Sequence, residues 1–150
     1  MSKPTNIEQI HATAVLLDGK GVVLRGPSGS GKSDLALRLI DEGAMLIADD
    51  RVDVKITNGQ LHCAPPENLA GMIEVRGVGI VKQDFAPTAP VALVVDLVAL
   101  DDETRLPDSL THEFFGQNLR YLKLFAFAAS SPAKIRLALT VGPEAMVEPS

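Results

Sequence analysis

The sequence contains almost no cysteine, no tryptophan and few aromatic residues of any kind. Among its 150 residues there is one cysteine, Cys63, and aromatic residues make up 4%. A single cysteine cannot close an internal disulfide or supply a cysteine-based zinc site. We expect Cys63 to be a small apolar residue beside a turn. The domain must therefore rest on an ordinary apolar core, which a chain of this length can bury.

Long hydrophobic runs and an excess of positive charge are also missing. The longest apolar run, Pro90 to Val95, is far too short to cross a bilayer, and Met1 to Ile10 is polar, unlike a signal peptide. Fourteen lysines and arginines stand against nineteen acidic residues, which gives a net charge of −5. This balance argues against a protein that coats nucleic acid or anionic lipid. We expect a cytoplasmic protein with no nucleic-acid and no membrane partner.

Composition and turn signals indicate one α/β domain. Apolar residues make up 46% and charged residues 22%, which are values typical of globular proteins. We take residues 1–150 as a single domain, ordered over about 11–142, with a flexible tail over 143–150. Asp18-Gly19 and Asn58-Gly59 are strong hairpin signals. The strands they join are predicted over 14–17 and 21–24, and over 52–56 and 61–63.

Other elements follow from the spacing of apolar residues. Leu35 to Ile40 shows helical spacing, and Gly43 marks the end of that helix. Pro90–Leu100 is the most hydrophobic segment and is predicted to be the central strand. Further predictions are short strands over 45–48 and 72–75, a long polar loop over 101–117, an amphipathic helix over 119–129, and a last helix starting at Ser131-Pro132. The chain therefore combines a hairpin-rich first half with a helical C-terminus.

Residues 26–33 match the phosphate-binding pattern G-x-x-x-x-G-K-[ST] at every fixed position. Glycines allow backbone N–H groups to turn inward around a phosphate, which the N-terminus of the next helix also attracts. Lys32, which we expect at the loop surface, would reach the β- and γ-phosphates, and Ser33 would bind Mg²⁺. The predicted nucleotide-binding residues are Gly26, Pro27, Ser28, Gly29, Ser30, Gly31, Lys32 and Ser33.

Two acidic positions compete for a second role beside the metal. Asp49-Asp50 follows the strand predicted over 45–48, and Asp96 follows the apolar run that ends at Val95. Either position fits a Walker B carboxylate, because an acid at the carboxyl edge of a buried strand faces the phosphates. Two adjacent acids in an extended strand project to opposite sides, so only one of Asp49 and Asp50 should face the site.

Three segments together resemble one known family. They are residues 26–33, residues 46–52 (Leu-Ile-Ala-Asp-Asp-Arg-Val) and residues 73–80 (Ile-Glu-Val-Arg-Gly-Val-Gly-Ile), and they are similar to the catalytic domain of HPr kinase/phosphorylase. That family phosphorylates a serine of the phosphocarrier protein HPr, and many members reverse the reaction with inorganic phosphate. The resemblance covers residues from about His11 to Ile135. It implies a P-loop kinase domain of the phosphoenolpyruvate carboxykinase-like type, in a short form with the catalytic domain only.

The resemblance also implies an acid–base group. His11 stands twenty-one positions before Lys32 and matches the family's active-site histidine. Asp49 is similar to the residue that accepts the proton of the serine hydroxyl in the forward reaction. Asp50 completes the acidic pair and is counted with the catalytic residues.

Metal and phosphate ligands are implied in the same way. Glu74 matches a Mg²⁺ ligand and would share the ion with Ser33, while Arg76 belongs to the same catalytic segment. Arg105 aligns with a catalytic arginine that would cover the transferred phosphoryl group. The implied cofactors are ATP and Mg²⁺, the implied partner is an HPr-type phosphocarrier, and the implied assembly is a homo-oligomer, a hexamer in this family.

One loop departs from the family pattern. Members carry Pro-Val-Arg-Pro-Gly-Arg-Asn-Leu, which is tied to phosphorolysis, whereas residues 112–119 read His-Glu-Phe-Phe-Gly-Gln-Asn-Leu. Inorganic phosphate is a dianion near neutral pH and needs cations to approach a second phosphate. Because both arginines are replaced, we expect a better kinase than phosphorylase.

The sequence therefore predicts an ATP-dependent serine kinase that acts on HPr, with two alternatives left open. A nucleotide-binding sensor or interaction module without catalysis would need only residues 26–33. A small-molecule P-loop kinase would carry an arginine-bearing lid and a helical acceptor pocket. His11, Asp49, Glu74 and Arg76 argue against the first alternative, and the hairpin-rich first half argues against the second.

Overall fold

The computed structural model describes residues 7–107, 109–142 and 146–147, so most of the tail predicted to be flexible lies outside the described residues. The described residues form a mixed α/β fold, which is the class that the sequence predicts. The strands are β1 Glu8–Ile10, β2 Ala12–Leu17, β3 Lys20–Arg25, β4 Met45–Ala48, β5 Val52–Thr57, β6 Gln60–Ala64, β7 Met72–Val75, β8 Gly79–Lys82, β9 Ala89–Leu97, β10 Thr111–Phe114 and β11 Gln117–Leu124. The helices are α1 Lys32–Asp41 and α2 Ser131–Thr140, with 3-10 turns at Glu67–Leu69 and Leu100–Asp102.

Most of the strands form one sheet, and β9 lies at its centre as predicted. The order is β1-β5-β6-β9-β3-β2-β4, with β11 beside β9 and β10 beside β11, while β7 and β8 form a separate two-stranded sheet. β9 pairs in parallel with β3 and β11, and its first residues pair antiparallel with β6. The register sets Arg25 of β3 opposite Asp96 of β9. The carboxyl ends of these two strands therefore meet at the edge from which the P-loop leaves the sheet.

Alternate residues of the central strands enter two apolar cores on opposite faces of the sheet. Leu24 and Leu93 pack in the first core with Leu35 of α1 and Ile135 of α2. The second core contains the intervening residues of the same strands together with residues of β5 and β6. Cys63 belongs to the second core, and burial raises the pKa of its thiol to about 12. It is an apolar core residue as predicted, although it lies within strand β6.

The elements signalled by glycine are confirmed. The Asp18-Gly19 turn has φ of 50° and 76°, and the Asn58-Gly59 turn has φ of 52° and 78°. Two-residue hairpin turns of this kind need positive φ at both positions, which these residue types tolerate best. Helix α1 follows the P-loop and ends just before Gly43, and α2 begins at Ser131. Within the described residues, no helix is both long and apolar enough to cross a bilayer.

The helix predicted over 119–129 is wrong, because most of this segment lies in strand β11. Tyr121 packs against the second core, whereas Leu122 and Leu124 lie at the first. A strand with apolar residues on both faces shows no clear alternation, so its apolar spacing can match a helix by chance.

The long loop predicted over 101–117 is also wrong in its second part. This part contains strand β10, which pairs antiparallel with β11. The turn between the two strands is Phe115-Gly116, with φ of 50° and 80°. Phenylalanine is an uncommon residue at positive φ, so the sequence carried no recognised hairpin signal here.

Candidate active site

The P-loop connects the carboxyl end of β3 to the start of α1 and lines an open cavity of about 750 Å³. Gly31 directly precedes α1 with φ of 100°. A Cβ atom on Gly31 would come within 2.8 Å of Ala126 Cβ and 2.9 Å of Phe127 Cζ. Both the backbone conformation and the lack of space therefore require glycine at this fixed position. The P-loop residues that line the cavity are Ser28, Gly29, Gly31, Lys32 and Ser33.

The loop also contains a buried hydroxyl at its base. Ser30 Oγ is buried and has no hydrogen-bond partner among the described residues. Ser30 N donates to Pro27 O at 3.0 Å, which closes the turn at the base of the loop. The hydroxyl lies against Gly26 at the base of the loop, and Ser30 does not line the cavity. The part of the loop that faces a phosphate is therefore Ser28, Gly29 and Gly31, next to the N-terminus of α1.

Lys32 is buried rather than at the loop surface, so that expectation is wrong. It is 8% exposed, and its Nζ donates to Gly26 O at 2.6 Å and to Pro27 O at 3.1 Å. Burial lowers the pKa of the ammonium group, and the nearby Asp50 and Asp49 carboxylates oppose this effect. Lys32 still lines the cavity. Its charge is therefore held close to the position where phosphate oxygens would lie.

Asp49 joins three elements of the site. Its Oδ1 accepts a hydrogen bond from Ser33 Oγ at 2.6 Å and another from Thr13 Oγ1 at 3.0 Å, and its Oδ2 accepts from Glu74 N at 3.1 Å. The residue is 7% exposed. Both carboxylate oxygens are thus occupied by donors from β2, α1 and β7.

Asp50 lies in the cavity with His11. His11 Nε2 is 3.0 Å from Asp50 Oδ1, and both residues line the cavity. Asp50 has φ of 73°, so the chain bends sharply at the end of β4 instead of continuing as an extended strand. The premise that the two adjacent acids face opposite sides of a strand is therefore wrong. Asp49 turns inward to the P-loop, and Asp50 stays open to the cavity.

The β7–β8 hairpin supplies the opposite wall of the cavity. Glu74 and Arg76 both line it and are both exposed. The backbone N–H of Glu74 is fixed by Asp49, which also holds Ser33. The structure thus brings the two predicted Mg²⁺ ligands, Ser33 and Glu74, to one cavity.

Arg105 is not brought to this cavity. It lines a second cavity of about 800 Å³ between β11 and α2, together with Tyr121 and Lys134. Its alignment with a catalytic arginine depended on the path of residues 101–117, and that segment contains a strand where a loop was predicted. A catalytic role for Arg105 stays a prediction.

Asp96, the rival Walker B candidate, is committed to other partners. Arg25 Nε and Nη2 donate to its two oxygens at 2.7 and 2.9 Å, and the Tyr121 hydroxyl donates to Oδ2 at 2.5 Å. Loss of solvation and the neighbouring Asp96 raise the pKa of Tyr121 to about 12. Asp96 does not line the P-loop cavity. These contacts indicate that Asp96 ties the ends of β3, β9 and β11 together.

We expect Asp96→Asn to lower stability and to leave nucleotide affinity within two-fold of wild type. The amide cannot accept two hydrogen bonds from Arg25, and the free energy of unfolding should fall by about 1.5 to 3 kcal/mol. Urea denaturation and calorimetric titration with ATP measure the two effects. Asp101→Asn, at an exposed aspartate beyond β9, is the matched control. A large loss of ATP affinity with stability unchanged would assign Asp96 to the metal after all.

Apart from neighbours of the predicted residues on α1 and on the β7–β8 hairpin, Thr13 and Phe127 line the cavity and were missed in the sequence. Thr13 lies two positions after His11, and this spacing in an extended segment places both side chains on one face; both line the cavity. Phe127 falls inside the wrongly predicted helix and also lines the cavity. The two-residue spacing of His11 and Thr13 in an extended segment predicts that Thr13 lies beside His11 at the site. No feature of the local sequence predicts that Phe127 lies there.

Comparison with known proteins supports the motif-based resemblance. The family model described as the HPr Serine kinase C-terminal domain matches residues 3–124. HPr kinase/phosphorylase from Clostridium beijerinckii is 45% identical over 73 residues, which are 49% of this chain and 24% of that protein. The enzyme of the same name from Clostridium kluyveri is 47% identical over a stretch of the same length and coverage. The match thus spans about a quarter of the length of these relatives.

A solved structure extends the similarity to most of the fold. The structure of the Hpr(Ser) kinase/phosphatase from Coxiella burnetii superposes with a TM-score of 0.75 and 28% sequence identity. The match covers 89% of this chain and 88% of that one. The fold predicted from the resemblance, a P-loop domain of the HPr kinase type, is confirmed.

Proposed function

Because the chain belongs to the HPr Serine kinase C-terminal domain family, we propose that it transfers a phosphoryl group from ATP to a serine hydroxyl of an HPr-type phosphocarrier protein. One observation carries the proposal. The P-loop, His11, Asp50 and the Glu74–Arg76 segment come from four separate stretches of the chain and line one open cavity. A module that only bound nucleotide would need the P-loop alone.

The donor side of the proposal rests on the P-loop and on two oxygen ligands. Backbone N–H groups and Lys32 would hold the phosphates. Ser33 and Glu74 fit Mg²⁺, because this ion takes one or two hard oxygen ligands from the protein and completes its shell with water and phosphate. Bound Mg²⁺ supplies positive charge that offsets the β- and γ-phosphates. Asp49 would keep both ligands in place through its bonds to Ser33 Oγ and Glu74 N.

On the acceptor side, the serine hydroxyl needs a group to take its proton. Asp49, the base implied by the resemblance, is buried and already receives three hydrogen bonds. Asp50 is open to the cavity and pairs with His11. We therefore assign proton acceptance to Asp50, with His11 orienting its carboxylate, and a positioning role to Asp49. Arg76 would balance charge on the transferring phosphoryl group.

The proposal includes a cytoplasmic location and assembly as a homo-oligomer, hexameric by the family resemblance. An open site of this kind leaves room for a folded acceptor protein. Light scattering of the purified chain measures the assembly state directly.

We expect kinase turnover to exceed phosphorolysis by at least about ten-fold, because the loop that replaces the family's arginines carries no cation to draw in inorganic phosphate. The chain is incubated with ATP, Mg²⁺ and HPr, and mass spectrometry locates the phosphate. The reverse reaction uses phospho-HPr and inorganic phosphate, followed by pyrophosphate release. Phosphorolysis as fast as the kinase reaction would contradict the expectation, and no phosphorylation of HPr would overturn the proposed acceptor.

Contacts in the structure indicate which substitution best tests the expected excess of kinase turnover over phosphorolysis. Gln117 Oε1 accepts from Leu61 N at 3.0 Å and its Nε2 donates to Gly59 O at 2.6 Å, so an arginine there would break two contacts with the β5–β6 hairpin. Phe115 is exposed on the β10–β11 turn. Residues 112–119 do not line the P-loop cavity, so a charge at position 115 would act on inorganic phosphate from outside the cavity or in a neighbouring subunit of the proposed oligomer. We expect Phe115→Arg to raise phosphorolysis more than it raises the kinase rate, and Phe115→Gln, which adds polarity without charge, to raise neither.

A further inference from the structure

Phe127 presents an aromatic ring to the P-loop cavity. It is 54% exposed, more than any other phenylalanine in the described part of the chain. Its Cζ and Cε1 atoms lie 2.9 and 3.1 Å from the position that a Cβ on Gly31 would take. The ring thus covers the last P-loop residue before Lys32 and leaves much of its surface toward the cavity. What sets Phe127 apart from other exposed apolar side chains is its place, because its ring lies directly beside the P-loop in the cavity.

The loop that carries this ring is firmly held. Arg38 of α1 donates through Nη2 to Ala126 O and through Nη1 to Ala128 O, the carbonyls on either side of Phe127. The Phe125 ring meets the Phe127 ring edge to face, with centroids 5.7 Å apart. The ring is therefore positioned in advance, and a ligand that contacts it would pay little to order it.

The ends of the same loop are fixed as well. Ser131 Oγ donates to Phe125 O at 2.6 Å, and Phe125 N donates to Glu103 Oε2 at 2.7 Å. Glu103 is itself paired with Lys134 at 3.1 Å. These bonds connect the loop to α2 and to the segment after β9, so Phe127 does not depend on a single contact for its position.

We propose that Phe127 is the platform on which the base of a nucleoside triphosphate stacks while its phosphates lie on the P-loop. This inference rests on the proposed function, since it concerns the donor of the same site. The P-loop recognises phosphates, but it does not distinguish a nucleotide from pyrophosphate or triphosphate. A flat aromatic ring beside it adds affinity only for donors that carry a base.

The chemistry of the platform also sets its selectivity among nucleotides. Every base has a π-face, and stacking is tolerant of base identity when no side chain reads the hydrogen-bonding edge. Leu37, Val75, Val78 and Ile80 at this cavity are apolar and read no edge. Asp34 also lines it, with its carboxylate paired to Arg38 at 3.0 Å. The donor class is therefore nucleoside triphosphates in preference to inorganic polyphosphates, with ATP and GTP bound within a few-fold of each other.

The test compares a base-carrying ligand with one that has phosphates only. Calorimetric titration of the full chain uses ATP, GTP and inorganic triphosphate, each with Mg²⁺. Phe127→Ala should weaken ATP and GTP binding by about five-fold to a hundred-fold, the range expected for one base–aromatic stack. Triphosphate affinity should stay within two-fold of wild type.

Three further variants separate stacking from packing. Phe127→Tyr keeps the ring and should bind ATP like wild type. Phe127→Leu keeps apolar contact with Gly31 but loses the ring, so it should lose ATP affinity and keep triphosphate affinity. Leu137→Ala, which removes an apolar side chain of similar exposure (61%) on α2 outside this cavity, should change neither.

Several outcomes would overturn the proposal. Equal loss of ATP and triphosphate in Phe127→Ala and Phe127→Leu would show that the ring only supports the P-loop. Unchanged ATP affinity in both variants would place the base elsewhere. Wild-type protein that binds triphosphate as tightly as ATP would leave no contribution for a base to make. Wild-type protein that binds neither would overturn the proposed function and the platform with it.

Discussion

Lys32→Met is expected to lower ATP-dependent phosphorylation of HPr by a factor of about 10²–10³ or more, with the protein still folded. Lys32 is the lysine of the P-loop motif, and in the proposed reaction its charge would stabilise the β- and γ-phosphates during transfer. Because the side chain is 8% exposed, methionine is preferable to alanine: it fills the same space and removes only the charge and its donors. Turnover with HPr and the thermal midpoint of unfolding are the two measurements.

The matched control is Lys55→Met, which removes an exposed lysine from β5, away from the cavity. It should alter turnover by less than two-fold. Wild-type turnover in Lys32→Met would mean that residues 26–33 do not bind the donor. Loss of the folded state in Lys32→Met would instead assign Lys32 a structural role through its bonds to Gly26 and Pro27.

Asp50→Asn is expected to reduce kcat by about 10²-fold or more and to leave the affinity for ATP unchanged. An amide cannot accept the serine proton, and the usual contribution of a general base is about 10²–10⁴-fold. Asp50 is exposed, so its replacement should have little effect on folding. Single-turnover phosphorylation of HPr measures the rate of the chemical step, and calorimetry measures ATP affinity.

Asp49→Asn should behave differently, which makes it the comparison for Asp50→Asn. With its oxygen toward the Glu74 N–H, its amide nitrogen would face the Ser33 and Thr13 hydroxyls, so both hydroxyl bonds would reverse direction and the negative charge beside Ser33 would be lost. We expect Asp49→Asn to require a higher Mg²⁺ concentration for half-maximal turnover. Its free energy of unfolding and its kcat should both be lower than those of the wild type. If Asp49→Asn lost only kcat and Asp50→Asn kept near-normal turnover, Asp49 would be the base that the family resemblance implies.

Features with a strong local cause could be predicted from the sequence. The Asp18-Gly19 and Asn58-Gly59 turns need positive φ, which few residue types tolerate, so the dipeptides identify the hairpins. The P-loop was found because its chemistry requires fixed residues at fixed spacing. Strand β9 was found because a strand buried on both faces has an unbroken apolar run.

Features set by tertiary contacts could not be predicted. Strand β11 has half-buried apolar residues on both faces, and its mixed sequence matches a helix as well as a strand. Its pairing with β9 and β10, which the sequence does not reveal, decides between the two. The bend at Asp50 lies next to Asp49, whose carboxylate contacts three other elements, and an Asp-Asp pair alone does not identify such a bend. Arg105 and Phe127 are located by the paths of the segments before β10 and after β11, and these paths follow from the strands that the sequence did not reveal.

The Arg25–Asp96–Tyr121 contacts have a consequence for how the cavity can change shape. These hydrogen bonds connect the end of β3, from which the P-loop leaves, to β9 and through Asp96 to β11. The facing wall is a ribbon of two strands that pair only with each other, and its tip exposes Val78 and Ile80 to 75% and 72%. The base of this ribbon is anchored by Ile73 in the first core and by the bond from Glu74 N to Asp49, so only its tip is free of such contacts. If the acceptor is a folded protein, as proposed, we expect adjustment to it at the tip of the ribbon, while the phosphate side keeps its geometry.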